Sequence, residues 1–152
     1  MRRQIKILIS FMIFILVQGL VISSAIGQEV VKFADPNLEK VVRNTLKIPD
    51  NQAITMAKLR ELKILRASSK NIKSLSGIEY AINLQVLYLD KNKITDIKPL
   101  AKLTNLQELS LGANEITDIS PLANLTSLRK LNLGSNQIEN ISALSNLTNL
   151  QE

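Results

Sequence analysis

The sequence predicts an α/β solenoid of twenty-two-residue repeats, opened at its amino end by a helical cap. Three observations predict it. Residues 83–104 and 105–126 are identical at 15 of 22 positions, and residues 127–148 share twelve with the block before them. Inside each block, leucines alternate with period two over one short run. Ahead of the repeats stands an amphipathic segment whose first residues, Asp35-Pro36, are helix-start signals.

The blocks read NLQVLYLDKNKITDIKPLAKLT, NLQELSLGANEITDISPLANLT and SLRKLNLGSNQIENISALSNLT. Leu62, Leu84, Leu106, Leu128 and Leu150 mark the register. Residues 61–82 are a worn copy in which Leu62, Leu65, Ala67, Ile72, Leu75 and Ile78 keep the apolar places, and residues 149–152 begin a further one. The pattern L-x-x-L-x-L-x-x-N-x-L at this period is that of a leucine-rich-repeat horseshoe. The domain plan is then a leader over 1–27, a helical cap over 28–60 and repeats over 61–152.

Leu87-x-Leu89, Leu109-x-Leu111 and Leu131-x-Leu133 alternate like strands with their leucines inward. Parallel strands are expected near 86–89, 108–111 and 130–133, stacked at about 4.8 Å per step. Ile94, Ile97, Leu100 and Leu103 fill the core from the return side. A single copy leaves its apolar face open, so at least three must stack.

Asn92, Asn114 and Asn136 follow the strands at one fixed place, where the chain turns inside the curve. A buried amide offers both donor and acceptor to backbone groups stranded there, so a ladder of asparagines is expected. In the worn copy Lys70 holds the place, with Asn71 beside it, and the first turn of the ladder is unassigned. Ser120-Pro121 reads as a helix cap followed by proline, with Lys98-Pro99 and Ser142-Ala143 as weaker forms. Asn124, Asn140 and Asn146 open glycosylation sequons, which read as by-products of the repeat.

In the cap, Asp35 is the N-cap, and Leu38, Val41, Val42 and Leu46 line one face of the first helix. Pro49-Asp50-Asn51 turns the chain, and Thr55 caps a second short helix through Met56, Leu59 and Leu62. The pair covers the open end of the core, as a terminal unit of a solenoid must. Lys40, Arg43, Lys47, Lys58 and Arg60 read as its solvated outer face.

The amino terminus has the form of a secretory signal. Arg2, Arg3 and Lys6 precede an apolar run from Ile7, and Ala25 and Gly27 fit cleavage before Gln28. The competing reading is an uncleaved anchor, since about twenty apolar residues span a bilayer. Both place the rest of the chain in an exported, secreted or cell-surface setting.

The net charge of +6 divides into +3 over residues 1–27, +4 over 28–82 and −1 over 83–152. The repeats are thus near neutral, which argues against a nucleic-acid partner. With no His and no Cys, triads, thiol nucleophiles and the usual zinc sites are excluded. No catalytic residue, metal ligand or cofactor is assigned. Asp90 with Glu108 could pair as acid and base, but a solenoid closes no pocket around them, and an enzyme is the weakest reading.

The leading reading is protein–protein interaction through the concave sheet. Side chains between the inward leucines face that side and vary while the frame does not: Ile64, Arg66 and Ser68; Val86, Tyr88 and Asp90; Glu108, Ser110 and Gly112; Lys130, Asn132 and Gly134. Arg66, Tyr88, Asp90, Glu108, Ser110, Lys130 and Asn132 are the candidate partner-binding residues, with Tyr88 first because tyrosine is enriched among hot spots. Five strands give a face roughly 20 Å wide, short of the roughly 800 Å² per partner of a standard interface. The alternative is a fragment of a larger surface protein with no function of its own. At the carboxyl end, Ile138, Ile141, Leu144, Leu147 and Leu150 are expected to be partly open to water. Self-association through this end, or fraying from residue 127, is the corresponding expectation.

The cap sequence FADPNLEKVVRNTL, the threonine-led second helix, the worn copy ending NIKSLSGIEYAINL and the NKITDIKPLAKLTNLQ-type repeats together resemble the internalin-like leucine-rich-repeat proteins of Gram-positive bacteria. The resemblance covers residues 31–152. It implies a surface or secreted protein that binds other proteins through its concave sheet.

Overall fold

A computed structural model describes residues 29–151. The predicted leader, with its cleavage place at Ala25, Gly27 and Gln28, lies outside the described residues, as does Glu152. Among the described residues no helix is long and apolar enough to cross a membrane.

Helix α1 (Pro36–Leu46) forms where the sequence predicts it. Asp35 stands before it in extended conformation and accepts from the backbone N–H of Asn37 and Leu38 at 2.9 and 3.2 Å, satisfying two orphan donors of the first turn. Lys47, in left-handed conformation, ends it. Leu38 and Val42 are buried. Helix α2 (Met56–Leu59) is capped by the Thr55 hydroxyl, which accepts from Lys58 N at 3.2 Å. It stops short of Leu62, because the chain must extend there to enter the sheet.

Strands β1 (Ile64–Arg66), β2 (Val86–Tyr88), β3 (Glu108–Ser110) and β4 (Lys130–Asn132) form one parallel sheet in sequence order. Each strand advances the chain by one repeat of 22 residues, so equal places stack: Leu65, Leu87, Leu109 and Leu131 pair in register. The described residues hold four strands, not the five expected, and the face is narrower by one step of about 4.8 Å.

The return side is made of 3-10 turns at Ile78–Tyr80, Lys98–Lys102, Ser120–Leu122 and Ser142–Leu144. Ser120 does not cap its turn, contrary to the reading of Ser120-Pro121. Asp118 does so from two residues back, accepting from Ser120 N at 2.8 Å, and Asp96 and Asn140 serve Lys98 and Ser142 alike. A short carboxylate or amide that bonds its own backbone two residues on is a local turn, which suits a tight 3-10 segment better than a full helix cap.

Between sheet and turns lies one continuous core. Leu84, Leu87, Leu89, Ile94, Ile97, Leu100 and Leu103 of a single repeat are all at most 1% exposed. Each such side chain contributes about 1.5–3 kcal/mol relative to exposure. Toward the carboxyl end, Ile138, Leu144 and Leu150 are half-buried and Ile141 is 66% exposed, as expected. Leu147 departs from the expectation at 3% exposed. It joins the core cluster from the turn that follows Leu144.

The asparagine ladder is present, and each rung reaches back one repeat. Asn114 accepts from Ile94 N and donates to Leu89 O and Leu111 O. Asn136 accepts from Ile116 N and donates to Leu111 O and Leu133 O. Asn92 accepts from both Lys70 N and Ile72 N and donates to Ala67 O and Leu89 O. The worn copy therefore needs no asparagine of its own, which resolves the first turn. A second set escaped the sequence reading: Asn83, Asn105 and Asn149 each donate to a carbonyl 23 residues back, of Arg60, Ile82 and Thr126.

The cap is joined to the repeats through one carboxylate. Asp35 Oδ1 holds α1, while Oδ2 accepts from Lys73 N at 2.7 Å and Ser74 N at 3.4 Å in the worn copy. Beside this joint, Phe33 packs on Gly77, whose φ is 104°, and a Cβ there would stand 2.8 Å from the ring. Only glycine meets both demands.

Candidate protein-binding face

The leucine of each strand points into the core, so its two neighbours in the strand point out the other way. All seven residues singled out in the sequence thereby lie on one face. Arg66, Tyr88, Ser110 and Asn132 stand in register across β1 to β4. Glu108 and Lys130 form the neighbouring row, beside Val86. Asp90 follows β2 by two residues.

The rows are hydrogen-bonded across the repeats. The Arg66 guanidinium lies 5.2 Å from the centre of the Tyr88 ring, within cation–π range. The Tyr88 hydroxyl donates to Glu108 Oε2 at 2.7 Å. That bond to a carboxylate raises the Tyr88 hydroxyl above its ordinary pKa, with desolvation and the Glu108 charge adding to it.

Asp90 is the hub of the second network. Ser68 and Ser110 donate their hydroxyls to it, Gly112 its backbone N–H at 3.1 Å, and Asn132 its amide at 3.3 Å. Asn132 also donates to Ser110 Oγ and accepts from Gly134 N. Gly112 leaves room for this network: a Cβ there would stand 2.8 Å from Asn132 Nδ2 and 3.0 Å from Asp90 Oδ1, so the Asn132 side chain would have to swing aside. Four repeats thus share one polar network on a rigid frame. Tyr88, Glu108, Ser110, Lys130 and Asn132, with Leu109 and Leu131 below, line a hollow of about 240 Å³.

Among the described residues no group of three carboxylates converges on a space that would hold a metal ion. A larger hollow, of about 540 Å³, lies where α1 meets the first repeat and includes Arg66 with Lys40 and Lys70. Sequence reading missed it. Lys40 reads as solvated on its helix, and nothing in the periodicity tells that the helix is laid beside Arg66.

The leucine-rich-repeat family pattern matches residues 82–124 as two copies and residues 124–145 as one more. A crystal structure of the internalin InlF from Listeria monocytogenes is 41% identical, covers 78% of this chain with a TM-score of 0.76, and is itself covered over 35% of its length. The chain belongs to the internalin-like leucine-rich-repeat proteins. Internalin C2 of the same organism is 31% identical, with 78% of this chain and 72% of that one covered, at a TM-score of 0.42. The functional domain of InlJ, described as including a cysteine ladder, shares the fold at 22% identity and a TM-score of 0.57, over 82% of this chain and 32% of that one. Comparison with curated proteins gives no match. This internalin-like chain thus spans about a third of the InlF and InlJ chains it resembles. Its fold is the leucine-rich-repeat solenoid that these structures share.

Proposed function

We propose that the chain is an exported, non-enzymatic recognition module that binds a partner protein on its concave sheet, with Tyr88 at the centre of the contact. The observation that carries this reading is the network on that face. Arg66, Tyr88 and Glu108 are linked in one network, and Asp90, Ser110 and Asn132 in another, on side chains that the core does not use. Side chains held in place before binding lose less freedom on binding, which favours affinity from a small face. Tyrosine over a half-buried hollow, flanked by arginine, has the make-up of a hot spot.

A binder selected from a peptide-display library tests the reading. Tyr88→Ala and Lys130→Glu should each weaken it, Tyr88→Ala by at least about 2 kcal/mol if it is a hot spot. Lys102→Glu, on the 3-10 side, should leave it unchanged. The opposite order would place recognition on the convex side.

A further inference from the structure

The hollow between α1 and the first repeat has a charge of its own. Asn37, Lys40, Val41, Asn44 and Thr45 line it from the helix, and Arg66 and Lys70 from the repeat. Three cations face this space and no carboxylate does. The acids nearest in sequence are engaged elsewhere: Asp35 holds four backbone N–H groups, and Glu39 pairs with Arg43 at 2.7 Å. Among the described residues no ion pair involves Lys40, Arg66 or Lys70. At about 540 Å³ the cleft falls within the roughly 300–1,000 Å³ of sites that enclose small ligands. Val41 gives it an apolar wall, and Asn44 and Thr45 a polar rim.

Arg66 belongs to the cleft and, through its stacking on Tyr88, to the concave row as well. The two surfaces are therefore continuous. We propose that the cleft anchors acidic side chains at one end of an extended segment of a partner protein, whose remainder lies along the concave face. This rests on the proposed function for the path beyond Arg66, not for the cleft itself.

The order of charges decides the class of partner. Beyond the cleft the surface passes from Lys40, Lys70 and Arg66 to the carboxylates of Asp90 and Glu108, and then to Lys130 in the last strand. A uniform polyanion such as a nucleic acid or sulfated polysaccharide gains at the cleft and is repelled one strand later. A peptide changes sign along its length and matches both, and such complementarity sets specificity and register.

The probe is a short fluorescein-labelled peptide that opens with glutamates and continues in glycine, serine and lysine, titrated into the isotope-labelled chain. Expected is saturable binding with amide shifts at Lys40, Asn44 and Lys70, continuing to Tyr88 and Ser110. The double variant Lys40→Glu, Lys70→Glu should weaken it about tenfold, each exposed charge contributing roughly threefold. Circular dichroism checks that variant's fold, and Arg66→Gln is the second variant should it fail. Equal affinity of the glutamine version of the peptide, or of the double variant, would refute the cleft. Tighter binding of a heparin fragment at the same amides would replace the peptide by a polyanion. Shifts confined to Tyr88, Ser110 and Asn132 would refute the cleft and leave the concave reading standing. Shifts confined to Lys40, Asn44 and Lys70 would leave the cleft standing and remove the path along the sheet.

Discussion

The Tyr88 hydroxyl donates a 2.7 Å hydrogen bond to the Glu108 carboxylate, which belongs to the next repeat. The bond ties two strands together through side chains that point away from the core. Its first consequence is on titration. Loss of the hydroxyl proton places a phenolate against a carboxylate, so the pKa of Tyr88 lies above its ordinary value. In a Tyr80→Phe background, where Tyr88 is the remaining tyrosine, Glu108→Ala should move the phenolate absorbance change to lower pH. An unchanged midpoint would show that the bond is not held in solution.

The ladder should dominate local stability. Asn114 is 7% exposed and serves four backbone groups, of which Ile94 N and Leu89 O belong to the repeat before. Asn114→Ala strands them, and a buried group left without its partner costs about 1–3 kcal/mol. Urea unfolding should show a loss of at least about 2 kcal/mol for Asn114→Ala and less for the half-buried Asn136→Ala. A larger loss at Asn136 would contradict the account.

Asp35 makes the cap joint sensitive to acid. Burial pushes its carboxyl up, but backbone N–H groups of Lys73, Leu38, Ser74 and Asn37 together outweigh it and hold the pKa below the ordinary value. A carboxylate with a depressed folded-state pKa contributes stability that is fully present above its unfolded pKa. That contribution is lost as pH falls through the folded value. Stability of the wild-type chain should therefore fall on acidification below about pH 4. Asp35→Asn should lower stability at neutral pH by about 1–3 kcal/mol and flatten that acid limb. An equally steep limb in the variant would assign it to other carboxylates.

Four successive repeats turn through a left-handed residue just before the ladder place: Ser69, Lys91, Ala113 and Ser135, with φ between 55° and 58°. None is glycine. Ala113→Gly should raise stability by up to about 1 kcal/mol, since a side chain at positive φ costs about that much more than glycine loses in entropy. A drop in the unfolding midpoint would mean that the turn carries no strain.

The repeat geometry was legible because it rests on local periodicity. The alternation at Leu87 and Leu89 requires a strand, and Asp35-Pro36 requires a helix start. Whatever depends on the joining of distant segments was hidden. Asp35 was visible as a cap for Asn37 and Leu38, but its other oxygen meets Lys73 and Ser74, 38 and 39 residues on. Lys40 and Arg66 look unrelated until α1 is laid beside β1. The concave row was legible as a set of residues, since β-alternation assigns its face. Its wiring through Asp90 was not, because that depends on Gly112 leaving room for Asn132. The asparagines at 83, 105 and 149 recur at one repeat place and could have been found by the same comparison that found Asn92.

The central claim is that recognition occurs on the sheet and not on the 3-10 side. The two tyrosines of the chain sit one on each: Tyr88 on the sheet, Tyr80 in the first 3-10 turn. Hydroxyl-radical footprinting with and without a saturating selected binder compares them in one sample. The account predicts that Tyr88 loses its reactivity and Tyr80 keeps it; protection of Tyr80 with Tyr88 still reactive would contradict it.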